Sequence, residues 1–243
     1  MDNRVSALRP GISPVPGRIR PHLEGGREMA RNADVARAVV DEAGTTLAAE
    51  AGIRMADRPS ALWQLLVLVN LLSARISARI AIAAARELNE AGGTTPDGMA
   101  SLSWQDRVDA LGRGHYVRYD ESTATRLGEC VDRVREEYQG DLRRLGERSE
   151  HRTSRVEAMV REFSGIGPTG AVMFCREVQA VWPWLRPYTD KYVLGGAKKV
   201  GLPEDGGKLA KLVEGDEVAR LAAGLARIAR DGDLADRVRE RVG

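Results

Sequence analysis

The stretch from Ser60 to Leu72 constrains the fold more than any other part of the chain. Apolar residues surround it on nearly every side, interrupted only by Gln64 and Asn70. A helix without a polar face must be covered all round by other elements, so the rest of the protein has to wrap around this one. The run falls well short of the roughly 20 apolar residues a membrane span needs. It reads as a core helix with Ser60 as its N-cap.

The flanking segments repeat apolar residues with a period of about 3.6 residues. Asp34 caps a helical pattern through Val35, Val39 and Val40 that Gly44 ends, and a second short helix through Leu47 and Ala51 ends at Gly52. Ser77 to Glu90 is closed by Gly92 and Gly93, Thr95-Pro96-Asp97 opens a turn of helix, and Ser103 caps another reaching Leu111. Tyr119 to Tyr138 and Arg152 to Phe163 are amphipathic helices. Thr169 to Ala180, Asp190 to Val200 and two helices within residues 206–241 follow, with a Trp182-Pro183-Trp184 turn between the first two. Aromatic residues make up only 5% of the sequence and β-branched runs are scarce, which favours helices over sheets. The expected fold class is all-α, with roughly ten helices and no strand. Residues 1–30, with Pro10, Pro14, Pro16 and Pro21 among glycines and arginines, read as a flexible basic arm preceding a helical domain over residues 31–243.

With 43% hydrophobic and 30% charged residues the 243-residue chain has an ordinary globular balance, and its net charge of +2 permits nucleic-acid binding without demanding it. Two cysteines, Cys130 and Cys175, are too few for a disulfide framework, an iron–sulfur cluster or an all-cysteine zinc site. His115 and His151 have no partner at metal-ligand spacing, so neither metal nor cofactor is expected. No leader-like apolar segment follows the first methionine, and the default compartment is cytoplasmic.

Phe163-Ser164-Gly165-Ile166-Gly167-Pro168-Thr169-Gly170-Ala171 lies between two helical patterns. Its Gly-Ile-Gly centre supplies two residues free of Cβ constraint for a tight helix-to-helix turn. Backbone N–H groups at the start of the following helix point outward there and can hold a phosphate, helped by the helix dipole. A plain packing corner would use the same glycines for close approach, and the nonapeptide alone fits both readings.

The surroundings separate them. With Asp190-Lys191-Tyr192-Val193 and Lys199-Val200-Gly201-Leu202 downstream, and Leu62 to Ser77, Thr95-Pro96 and Gly114-His115-Tyr116 upstream, the sequence resembles the helix-hairpin-helix DNA glycosylase superfamily, endonuclease III-like, over about residues 58–230. The resemblance implies a two-lobed helical fold with a cleft for DNA and a flipped base between the lobes. One lobe would take residues 31–60 and about 165–243, including the C-terminal half of the hairpin, and the central lobe about 61–164. It implies duplex DNA as partner, a nucleoid-associated monomer without an obligate protein partner, and base-excision repair as the role. Gly165, Ile166, Gly167, Thr169, Gly170, Lys191 and Lys199 are the implied DNA contacts.

Asp190 takes the place of the family's catalytic carboxylate. Breaking an N-glycosidic bond builds positive charge on the deoxyribose, which a nearby carboxylate stabilises. An N-cap role for the same aspartate is compatible with that chemistry. Bifunctional relatives carry a lysine in the hairpin where this chain has Thr169, so the resemblance implies a monofunctional glycosylase with a water nucleophile and little lyase activity. Arg75, Tyr116, Tyr192 and Trp182 are the candidates for the base pocket or wedge, each with an ordinary surface or packing role as its alternative. A DNA-binding protein that keeps the scaffold without catalysis is the alternative function, and an all-helical interaction module a more distant one.

Overall fold

The computed structural model describes the backbone from residue 21 and the side chains from residue 26 to the C-terminus. It contains helices α1 (Pro21–Ala43), α2 (Leu47–Glu50), α3 (Pro59–Leu72), α4 (Ala78–Glu90), α5 (Pro96–Ser101), α6 (Trp104–Arg113), α7 (Asp120–Tyr138), α8 (Arg143–Arg148), α9 (Thr153–Arg161) and α10 (Pro168–Val178). A single 3-10 turn at Pro183–Leu185 precedes α11 (Lys191–Lys199), α12 (Gly206–Ala210), α13 (Glu217–Ile228) and α14 (Gly232–Val242). No strand occurs among the described residues, as the periodicity predicts. None of their helices is long and apolar enough to cross a membrane.

Two starts differ from expectation. The arm expected over residues 1–30 lies outside the described residues up to residue 20, whereas residues 21–30 already belong to α1. Asp34 consequently sits inside that helix rather than capping it, paired with Arg37 one turn on at 3.0 Å. In α3 the first helical residue is Pro59, with Arg58 extended before it and no side-chain cap. Proline's fixed φ starts a helix without one, which leaves Ser60 in the first turn.

Apolar side chains gather in two cores. The larger is built around α3, whose residues Ala61 to Val69 are buried apart from Gln64, and takes side chains from Ala48 to Tyr188. The smaller joins Val35 to Ala43 of α1 with Val193 to Val238 of α11 to α14. The lobe boundary therefore departs from the expected one: Ala48, Ala51 and Ile53 and the apolar side of α10 pack into the larger core. Ala171, Phe174, Cys175 and Val178 face α3 and bury there, which keeps the hairpin and its second helix in one body. The opposite side of α10 meets the smaller lobe. On that side the buried Glu177 carboxylate accepts from the backbone N–H groups of Leu47 and Ala48 at 3.2 and 2.9 Å and so closes the start of α2.

Candidate nucleic-acid interface

The turn between α9 and α10 forms because Gly165 adopts φ +85°, which only glycine enters freely, and because Pro168 at the first position of α10 fixes φ for the helix start. Ile166 points inward, 4% exposed, and its N–H donates to the Phe163 carbonyl at 3.0 Å. The expectation of an Ile166 DNA contact is thus corrected: the residue pins the loop to the larger core. Asn70, the polar break in α3, explains itself here, since its Nδ2 donates to the Ser164 carbonyl at 2.6 Å. A Cβ at Gly170 would stand 2.4 Å from Ser73 Oγ, so this glycine lets α10 lie against the loop joining α3 to α4, the loop that carries exposed Arg75.

What the turn presents outward is backbone. The N–H groups of Gly165, Gly167, Thr169 and Gly170 find no acceptor among the described residues. Around Gly167 there is open space where a side chain would stand, and Thr169 is exposed. Arg126 of α7 crosses the turn, with its Cδ 2.9 Å from where a Cβ on Gly165 would lie. Free N–H groups at a helix start, an adjacent guanidinium and the loop of Arg75 make one surface suited to an anion.

Met173 and Arg176 of α10 line a cleft of about 510 Å³ between the lobes, with Ala78 beside them and Ala226, Arg230 and Arg237 opposite. Thr169, at i−4 from Met173, is on the same side of α10, roughly 10 Å above Arg176 along the helix. Asp190 lies beneath the arginine as the N-cap of α11. Its Oδ1 accepts from the backbone N–H groups of Tyr192 and Val193 at 2.7 and 3.3 Å, and its Oδ2 accepts from Arg176 Nε and Nη2 at 2.9 and 2.7 Å. Tyr192 brings its ring under Arg230, 4.2 Å from the guanidinium carbon, with Lys191 Nζ at 5.1 Å. The Arg230 hydrogen bond, together with these two positive charges, holds the phenol below its ordinary value.

Two more expectations are corrected by packing, and a third residue is bonded within the smaller lobe. Tyr116 is fully buried, and its hydroxyl donates to the Leu71 carbonyl at 3.2 Å, so it is a core residue and not a base platform. Lys199 is exposed, and its ammonium donates to the Ile228 and Ala229 carbonyls at 3.2 and 2.9 Å, satisfying the end of α13. Trp182 is buried on the larger lobe, its Nε1 donating to Asp57 at 3.1 Å, away from the inter-lobe cleft. Lys191 is exposed beside the cleft. Arg126, Arg176 and Arg230 escaped sequence reasoning, and only Arg176 left a trace, as a charge on the otherwise apolar run Ala171 to Cys175. Both cysteines are buried, which pushes the Cys130 thiol up to about 12 and raises Cys175 as well. Among the described residues no group of three or more histidines, cysteines or carboxylates gathers as a metal site would require.

No protein-family model and no curated protein matches this chain. Among solved structures there is a likeness to a trapped endonuclease III–DNA covalent intermediate in an estranged-adenine complex. The two are 14% identical, with 78% of this chain and 82% of that chain covered, at a TM-score of 0.43.

Proposed function

We propose that this protein binds duplex DNA through the 163–171 turn and acts on a nucleotide rotated into the inter-lobe cleft as a monofunctional DNA glycosylase. The observation that carries the DNA contact is the set of acceptor-free N–H groups at Gly165, Gly167, Thr169 and Gly170 with Arg126 alongside. Such groups bind a backbone phosphate without reading sequence. Arg75 on the neighbouring loop is the residue that fills the gap left by the displaced base, and Tyr192 with Arg230 offers a flat wall to the base itself. Asp190 stabilises the sugar cation while a water adds at the anomeric carbon, the base leaving with the glycosidic electron pair and a proton. Thr169 has no amine, so the product is an intact strand with an abasic site.

A second reading, DNA binding on this scaffold without hydrolysis, is favoured by one feature. Each Asp190 oxygen already takes two donors, which uses the roughly four acceptor sites of a carboxylate and leaves none for water unless Arg176 withdraws. A panel of labelled duplexes, each bearing one lesion or mismatch, separates the readings when treated with wild type and Asp190→Asn, with and without alkali. Strand breaks that require alkali and vanish in the variant, with binding retained, establish the glycosylase and name its substrate. Binding without breaks for any lesion establishes the second reading, and breaks without alkali would point to Lys191 as an amine nucleophile.

A further inference from the structure

On the larger lobe a second depression, of about 440 Å³, is lined by side chains that neither the turn nor the cleft uses. Trp182 and Trp184 stack there with centroids 5.0 Å apart and planes at 23°, and the His151 ring lies 4.6 Å from Trp184, tilted at 44° to it. The stack is held in place from below. Phe174 meets Trp182 edge-on at 6.1 Å, and Asp57 accepts the Trp182 N–H at 3.1 Å. Gly146 of α8 makes room for Trp184, since a Cβ there would come within 3.0 Å of the indole.

The backbone that carries His151 is strained. Glu150 and His151 are consecutive non-glycine residues with φ +53° and +55°, a left-handed conformation that L residues adopt only at a cost and that concentrates at functional sites. The turn after α8 spends that strain to place an exposed imidazole over a tryptophan. Charge around the rim is divided. Arg143 is committed to Asp141 at 2.6 Å, whereas Arg144 beside it is exposed and has no carboxylate partner among the described residues. Asp57 and Glu147 supply acceptors on the same wall.

A wall of rings favours a planar ligand, the carboxylates favour one with ring or amino N–H groups, and Arg144 favours one with an anionic substituent. A cationic ligand fits poorly, because the two indoles stack on each other instead of standing around a central point. We propose that this depression binds a nucleotide, its base against the Trp184 and His151 rings and its phosphate on Arg144. The volume lies within the roughly 300–1,000 Å³ of small-molecule sites. The same chemistry is offered by a free mononucleotide and by an unpaired nucleotide of a single strand, for which stacking platforms are the general solution.

Titration calorimetry on the full chain tests this with nucleoside 5′-monophosphates, the matching nucleosides, a short single-stranded oligonucleotide and the same sequence as a duplex. Monophosphates are expected to bind roughly tenfold or more tighter than nucleosides, and Arg144→Glu, at an exposed position, removes that difference. Trp184→Ala weakens both by a similar factor, with circular dichroism to confirm the fold. A single strand that binds better than the monophosphate and is lost in both variants assigns the site to a strand; a monophosphate that binds equally well or better assigns it to a free nucleotide. Absence of binding by either at about 1 mM, or binding indifferent to Arg144→Glu, overturns the proposal.

Discussion

Arg176 and Asp190 form a closed pair, in which the guanidinium gives both Nε and Nη2 to a single carboxylate oxygen and the other oxygen caps α11. Both side chains are 8% exposed, so each neutralises a charge that water cannot reach. A carboxylate balanced in this way stabilises a neighbouring cation poorly until the arginine leaves it. An incoming phosphate in the cleft that Arg176 lines is a competitor of the right charge.

Removing one member of a buried pair strands the other, at a cost of about 3–5 kcal/mol. Asp190→Asn keeps the helix cap, because asparagine caps as well as aspartate, so its loss reports on the pair alone. Asp190→Asn and Arg176→Met are each expected to lower the stability by about that amount, and the double variant by clearly less than the sum. Urea unfolding of the four proteins measures this. Additive losses would show the two groups to be independent in solution.

The two glycines of the turn differ in what they are for. At Gly165, φ +85° and the Arg126 side chain both resist a methyl group, and Gly165→Ala should cost about 1–2 kcal/mol of stability. Gly167 has φ −93° and open space around it, so Gly167→Ala should change stability by less than about 0.5 kcal/mol. Its new methyl stands where a phosphate would approach the free N–H groups. Duplex affinity measured by fluorescence anisotropy is expected to fall roughly tenfold, about 1.4 kcal/mol. Wild-type affinity in Gly167→Ala would take the turn out of the interface.

How much of this was readable beforehand follows from the range of the interactions involved. α3, α7 and the 163–171 turn announce themselves because periodicity and glycine placement are local. α8, with six residues, is too short to show a period, so the wall it gives the depression beside Trp184 is not legible in the sequence. Side-chain fates were hardest to read wherever the partner is distant in sequence. Lys199 meets carbonyls 29 and 30 residues away, and Tyr116 meets one 45 residues away. Asp190 was legible as a cap, yet Arg176 was not legible as its partner, because the intervening 3-10 turn brings them together in a way that no local pattern encodes.

Glu177 gives the fold a dependence on pH whose sign can be stated. Burial raises its carboxyl above the ordinary 4.5, and the bonds from Ala48 and Leu47 recover only part of that shift. A carboxyl with a raised value in the folded state favours folding most below its unfolded value. That contribution is lost as the pH climbs through the raised value. Compared with Glu177→Gln, which cannot titrate and keeps an acceptor for only one of the two N–H groups, the wild type should lose relative stability as the pH rises above the ordinary 4.5, the lost bond adding only a constant offset. Thermal melts of the two proteins across that rise give the difference directly, and a constant offset alone would mean that the carboxyl titrates as if exposed.

Lys191 and Lys199 provide the sharpest contrast, because both are expected to face DNA and both are exposed, yet the Lys199 ammonium is already bonded to two carbonyls. Lys199 closes the C-terminal end of α13 with two bonds to carbonyl oxygens, and Lys199→Met should lower stability by about 1–2 kcal/mol with duplex affinity unchanged. Lys191 is exposed, with its ammonium 5.1 Å from the Tyr192 ring centroid. Lys191→Met should leave stability within about 0.5 kcal/mol and weaken duplex binding, reducing the slope of log affinity against log salt by about one. Anisotropy titrations at several salt concentrations read that slope. If Lys199→Met reduced it while Lys191→Met did not, Lys199 would be exchanging its α13 carbonyls for a phosphate on binding, and the roles of the two lysines would be reversed.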